Sequence, residues 1–486
     1  MAVRNQRITW MGSAVLIVAA AILVGSCGKS AKIPVSTVSE GALRDYRKGL
    51  ELFNRLRAQE SIAYFQKAIA ADSNFAMAYL NLSLVTPSAK GFFENLNKAV
   101  ALADAVSEGE KCWILGLQAG ANGFPVKQGE YYQKLVELYP EDEQAQNLLG
   151  NYYFGLQEYG KAVACYQKAI GINPSFSQSY NQMGYAYRFQ ENFQEAEKAF
   201  QKYIQLIPDD PNPYDSHAEL LMKMGRFDES IASYRKALAV DSHFVASHTG
   251  IASNLNFMGR YREARQQLDR LFQGARNDGE RRAAHFAMAV SYADEGNLAN
   301  ALVSQKKVFA IAERIGDAAA MSGDCIVMGN ILLEQGKPDA AAAQFEKALQ
   351  IVKRSNLSDG VKNNAGQNYH YNIGRVLVKK KQLAAAKGHA TACLEAAEGI
   401  RNTFQIRLAH ELLGMIAFEE KAYNRAVQEF EQSNVQNPYN LYREAEAAAG
   451  QGNREKAEAL YEKAARFNGV TNLNYAFIRK KAAADL

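Results

Sequence analysis

The chain has 486 residues, 48% of them hydrophobic, and carries 56 lysines and arginines against 51 aspartates and glutamates. A net charge of +5 leaves no basic excess of the kind that marks a nucleic-acid footprint, and length alone suggests two to four ordinary domains. Five cysteines, no two of them in C-x-x-C spacing, are too few for a disulfide framework and offer neither a zinc knuckle nor a dithiol redox pair.

At the N-terminus, Arg4 and Arg7 form a basic flank with no acidic residue, followed by a mostly apolar run from Trp10 to Val24. That run is shorter than the roughly 20 residues a spanning helix needs and matches the apolar core of an export signal. Gly25 and Ser26 are small enough to sit beside a scissile bond, and Cys27 follows at once. Val24-Gly25-Ser26-Cys27 resembles the lipobox of bacterial lipoproteins. The resemblance implies cleavage before Cys27 and acylation of that residue, with two or more chains giving stable membrane anchoring that one chain does not. It further implies an outer-membrane lipoprotein facing the periplasm, because residue 28 is Gly rather than the Asp that marks inner-membrane retention. Removing residues 1–26 takes away Arg4 and Arg7 and leaves a charge of +3. Residues 27–41 then read as a polar tether.

Beyond the tether the chain repeats itself. NLLGNYYFGLQEYGKAVACYQKAIGINP (147–174) and NQMGYAYRFQENFQEAEKAFQKYIQLIP (181–208) align at an offset of 34, with Gly150 on Gly184, Ala162 on Ala196, Tyr166 on Phe200 and Pro174 on Pro208. This resembles the tetratricopeptide repeat, a helix–turn–helix unit of that length. In the same frame twelve units begin near residues 42, 76, 109, 143, 177, 211, 245, 282, 322, 367, 407 and 438. The eighth position, where the first helix crosses closest to its partner, is Gly, Ala or Ser in all twelve. The twentieth is Ala or Ser except at Asn95 and Gln128, and the twenty-fourth is Phe or Tyr in most units.

The fold expected is all-α: an α-solenoid, a right-handed superhelix of about twelve tetratricopeptide-like hairpins. The first seven units are evenly spaced, which predicts an N-terminal array over 42–275. Wider spacing afterwards predicts a C-terminal array of longer repeats over 282–466. Residues 270–282 read as a joint between the two, and 467–486 as a tail or capping helix.

Nothing in the array points to an enzyme, a cofactor or a metal. His248, His285, His370 and His410 all fall at the fourth position of their units, where tyrosines pack elsewhere. Cys112 and Cys325 share that position and read as buried inert thiols. There is no H-E-x-x-H, no G-x-x-x-x-G-K-[ST] and no G-x-S-x-G in the sequence.

What remains is a row of polar residues. In tetratricopeptide solenoids, positions 2, 5, 6, 9, 12 and 13 of the first helices face the concave groove. That places Asn147, Asn151, Asn181, Gln182, Tyr185, Arg188, Asp215 and Glu219 along one surface, with Gln144 and Gln178 beside them. Carboxamides both donate and accept, so such a row can bond an extended peptide backbone with little regard to its sequence. Tyr185 would add an aromatic contact and Arg188 a carboxylate contact. Of the clamp with which the family grips a C-terminal carboxylate, only the asparagine at Asn151 is kept. The resemblance therefore implies a non-catalytic scaffold of the cell envelope that holds a protein or peptide partner and no nucleic acid. The alternative is a carbohydrate-capture or polysaccharide-export accessory, favoured if groove aromatics such as Tyr185 stack on sugar rings.

Overall fold

The computed structural model describes residues 31–55 and 57–486, so the expected export signal and Cys27 lie outside the described residues. Apolar side chains recurring with helical period, with breakers between them, give twelve antiparallel helical hairpins. The first three are α1 (Glu40–Asn54) with α2 (Ala58–Ala71), α3 (Ala76–Val85) with α4 (Ala89–Ala101), and α5 (Glu108–Ala121) with α6 (Pro125–Leu138). Next come α7 (Glu143–Gly155) with α8 (Tyr159–Ile172), α9 (Ser177–Phe189) with α10 (Phe193–Leu206), and α11 (Pro211–Lys223) with α12 (Phe227–Val240). The third group is α13 (Val245–Phe257) with α14 (Tyr261–Gln273), α15 (Asp278–Glu295) with α16 (Leu298–Arg314), and α17 (Ala318–Glu334) with α18 (Pro338–Lys353). The last is α19 (Asp359–Lys379) with α20 (Leu383–Gly399), α21 (Thr403–Glu419) with α22 (Tyr423–Glu431), and α23 (Pro438–Gly450) with α24 (Arg454–Ala465). A final helix, α25 (Leu473–Ala484), follows.

The local chemistry is legible unit by unit. Helix α10 stops two residues before Pro208, and Asp210 then caps α11 by accepting the Asn212 N–H at 3.1 Å, with Pro211 in the first turn. Within the same hairpin Gly225 turns the chain at φ +76°, a conformation that costs glycine nothing. The small eighth residue lies against the aromatic twenty-fourth residue of its own unit. A Cβ at Gly150 would stand 2.5 Å from the Tyr166 ring, and one at Gly184 2.6 Å from Phe200. Both rings are fully buried. The hairpins stack into one continuous array, each first helix packing on the second helix of the preceding hairpin.

Two expectations need correction. The N-terminal and C-terminal arrays are not separated by a joint at 270–282, because α15 packs on both α13 and α14 as its counterparts do elsewhere. The longer repeats arise mainly from extra turns at the front of their first helices: α15, α17, α19 and α21 begin four to eight residues before the repeat frame. Nor do the described residues of 27–41 hang free. Lys32 pairs with Glu143, Ile33 N–H donates to Asp142 Oδ2 at 2.9 Å, Ser36 N–H to Glu110 Oε1 at 2.7 Å, and Thr37 Oγ1 to Asp72 Oδ2 at 2.5 Å. This strap runs back from the fourth unit to the first along the start of α7 and α5 and the end of α2.

The solenoid also closes on itself. Asn277 Nδ2 donates to Gln59 Oε1 at 2.9 Å, Lys90 N–H to Asp317 Oδ2 at 3.1 Å, and Ser358 Oγ to Asn122 Oδ1 at 2.6 Å. Further along, Asn402 Nδ2 donates to the Gly123 carbonyl at 2.9 Å, Arg407 to the Leu156 carbonyl at 3.0 Å, and Gln157 Nε2 to Asn434 Oδ1 at 2.9 Å. Hairpin tips of the first four units thus abut units seven to twelve along a polar seam. Helix α25 packs on α23 and α24 and also on α15, tying unit twelve back to unit eight on one side of that seam. Its Arg479 Nε donates to Asp294 Oδ2 at 2.9 Å, and Lys481 pairs with Glu334 at 3.1 Å. Among the described residues no helix is long and apolar enough to cross a membrane.

Candidate functional site

Where units three to five face units ten and eleven, the seam encloses a cavity of about 670 Å³. One wall comes from the row of carboxamides on α7 and α9: Gln144, Asn147 and Asn151, then Gln178, Asn181 and Gln182. These fall on one side because positions three and four apart share a helix face. The opposite wall is Asn364 and Asn368 from the early turns of α19, with Asn402 and Gln405 at the start of α21. Leu84, Leu117, Leu148 and Leu156 supply apolar surface, together with Trp113 and the half-exposed Phe404.

The expected groove divides in two. Asn147, Asn151, Asn181 and Gln182 line the cavity, but two of them also hold neighbouring first helices together. Asn147 Oδ1 accepts from Ser179 Oγ at 3.0 Å, and Asn181 Nδ2 donates to Asn212 Oδ1 at 3.3 Å. Asn151 Oδ1 accepts the Tyr166 hydroxyl at 2.9 Å and remains exposed. Tyr185, Arg188, Asp215 and Glu219 do not line this cavity and form a separate polar cluster. Arg188 is already paired with Glu219 at 3.1 Å, which corrects its expected role toward a ligand carboxylate. The Tyr185 ring meets Phe200 edge-on at 5.3 Å and lies under the Arg188 guanidinium at 4.9 Å. Its hydroxyl donates to Glu219 Oε1 at 3.1 Å, so with the guanidinium over the ring one face is taken from any sugar. Burial, and then the nearby Glu219 charge, push the Asp215 carboxyl well above the usual range, while Ser247 Oγ donates to it at 2.7 Å.

Sequence reasoning missed the second wall. Asn364 and Asn368 lie in the stretch DGVKNNAGQN before and into the tenth unit, which the repeat frame leaves partly unassigned. Its density of amides was the available signal. The fourth-position histidines are engaged structurally: His248 Nε2 meets the Ser242 carbonyl at 2.9 Å and His410 Nδ1 meets Glu429 at 2.8 Å. Cys112 and Cys325 are buried, and burial raises both thiols, Cys325 to about 11. Among the described residues no three His, Cys, Asp or Glu side chains gather as metal ligands would.

Comparison with known proteins agrees with this architecture. Tetratricopeptide-repeat family profiles match residues 144–176, 177–210, 212–244, 325–351 and 441–463. Among solved structures, a tetratricopeptide repeat protein from Parabacteroides merdae ATCC 43184 is 16% identical, covering 56% of this chain and 99% of its own, with a TM-score of 0.37. YrrB, described as a TPR protein with an unusual peptide-binding site, is 21% identical over 38% of this chain and 93% of its own, with a TM-score of 0.26. PilW, described as a type IV pilus biogenesis factor, is 19% identical over 44% of this chain and 95% of its own, with a TM-score of 0.33. A search of curated protein sequences returns no match. The five stretches matched by profile coincide with stacked hairpins, so the chain carries tetratricopeptide repeats there.

Proposed function

We propose that this protein is a non-catalytic scaffold of the bacterial cell envelope that holds a protein or peptide partner. It is tied to the outer membrane through an acylated Cys27 and faces the periplasm. The observation that carries the reading is the cavity, where carboxamides from two runs of the solenoid converge on one space. Amide groups offer donors and acceptors in the proportions a peptide backbone needs. No nucleophile stands there beside a base, which a catalytic reading would require.

The carbohydrate alternative is weakened by the covered Tyr185 ring. One observation still favours it: Phe404, 57% exposed, stands at the cavity with a ring able to stack. A photo-crosslinking side chain placed at Gln182 in intact cells tests the scaffold reading. It should trap one discrete protein that a crosslinker at the exposed Lys161 does not. Identical products from the two positions, or none from Gln182, would count against a partner in the cavity.

A further inference from the structure

We propose that the cavity admits an internal stretch of peptide with uncharged, mostly aliphatic side chains, and excludes chain ends and charged residues. This rests on the scaffold reading above and names the class of partner segment it takes. None of the residues lining the cavity carries a formal charge at neutral pH. An ammonium or carboxylate brought inside would leave water and find no counter-ion, a heavy penalty for any buried charge. The family's carboxylate grip is therefore replaced here by a neutral surface that disfavours a terminus.

The walls match the two components of an aliphatic peptide. Leu84, Leu117, Leu148 and Leu156 suit its side chains, and the carboxamides suit its backbone. Two acceptors are left over. Asn181 and Gln405, only 5% and 4% exposed and on opposite walls, spend their amide nitrogens on Asn212 and Asn364. Their carbonyl oxygens, Asn181 Oδ1 and Gln405 Oε1, have no protein donor. Both oxygens are shielded from solvent, so a guest's backbone is met instead by the accessible carboxamides of the lining, the exposed Asn151 among them. A sugar would donate as well, but its hydroxyls would lie against four leucines.

Trp113 lines the cavity, and the only other tryptophan is Trp10 in the expected export signal. The full chain carrying Trp10→Phe, in lipid nanodiscs, therefore reports on the cavity by its own fluorescence. The probes are acetyl-Gly-Val-Ala-Leu-Ser-Val-amide, the same peptide with Glu or Lys in place of Leu, the same peptide with a free carboxylate, and maltohexaose. The blocked neutral peptide should give a saturable change in Trp113 emission, with each charged version at least about tenfold weaker. Gln182→Glu keeps the side-chain shape and should shift preference toward the Lys peptide. Equal binding of charged and neutral peptides would overturn the inference while leaving the scaffold reading standing. Saturation by maltohexaose alone would overturn both. Silence toward every probe would overturn the inference, and the crosslinking experiment would still decide the scaffold independently.

Discussion

Asn147 accepts a hydrogen bond from Ser179 across the gap between α7 and α9, and Asp215 accepts one from Ser247 between α11 and α13. A residue at the fifth position of a first helix therefore lies partly beneath the next unit, where spacing alone suggests open groove. Replacing Asn147 and Asn181 together with Ala should lower unfolding free energy, each lost bond contributing about 0.5–1.5 kcal/mol. Urea denaturation would measure this, and an unchanged midpoint would mean that neither bond matters. Asp215 gives a signed pH dependence. Its folded pKa lies above the unfolded one, so the native state keeps a proton that the unfolded state releases. Its stabilising contribution is full below the unfolded pKa and is lost as pH rises toward the folded value. Asp215→Asn should accordingly unfold later than wild type at pH 7.5, with the gain shrinking by pH 4. Equal gains at both pH values would contradict this.

At the scale of the element, the hairpins were legible because most units repeat the same physical constraint. A small eighth residue admits the aromatic twenty-fourth, and Gly184 against Phe200 is one instance. Gly184→Leu should overpack that crossing at a cost of about 1–3 kcal/mol. Limited proteolysis should then open units four to six first, and equal damage in α21–α24 would indicate a shared core instead. The frame carried no information on how many turns precede its first position. The early turns of α19, which close the cavity, were therefore invisible, as was half of the candidate site. Residues 467–486 were expected to be a tail or a capping helix, but the hold of α25 on α15 through Arg479 and Asp294 joins units distant in sequence and has no local signature. Deleting residues 467–486 should expose the apolar faces of Val290 and Leu441 that α25 covers, raising binding of a hydrophobic dye and lowering the melting temperature. An unaltered melting temperature would show that the cap is dispensable.

For the whole molecule, the seam is bonded mainly by side chains to backbone carbonyls and to other amides, so it depends on few apolar contacts. Asn402→Ala with Arg407→Ala removes two of those bonds, to Gly123 and Leu156. Small-angle scattering should then report a larger radius of gyration with unchanged helicity by circular dichroism. An unchanged radius would mean that these two bonds are not what keeps the seam closed. Cys27→Ser should abolish incorporation of labelled fatty acid while leaving the solenoid folded. Equal labelling of wild type and variant would refute the anchor. The strap gives that anchor a geometry. Lys32, five positions after Cys27, is paired with Glu143, so the leash reaches at most about 18 Å. An acylated Cys27 would hold the body by its fourth unit rather than by its first helix. The edge of the body at Glu110 and Asp142 would then stay close to the bilayer, instead of standing away from the surface on a free stalk.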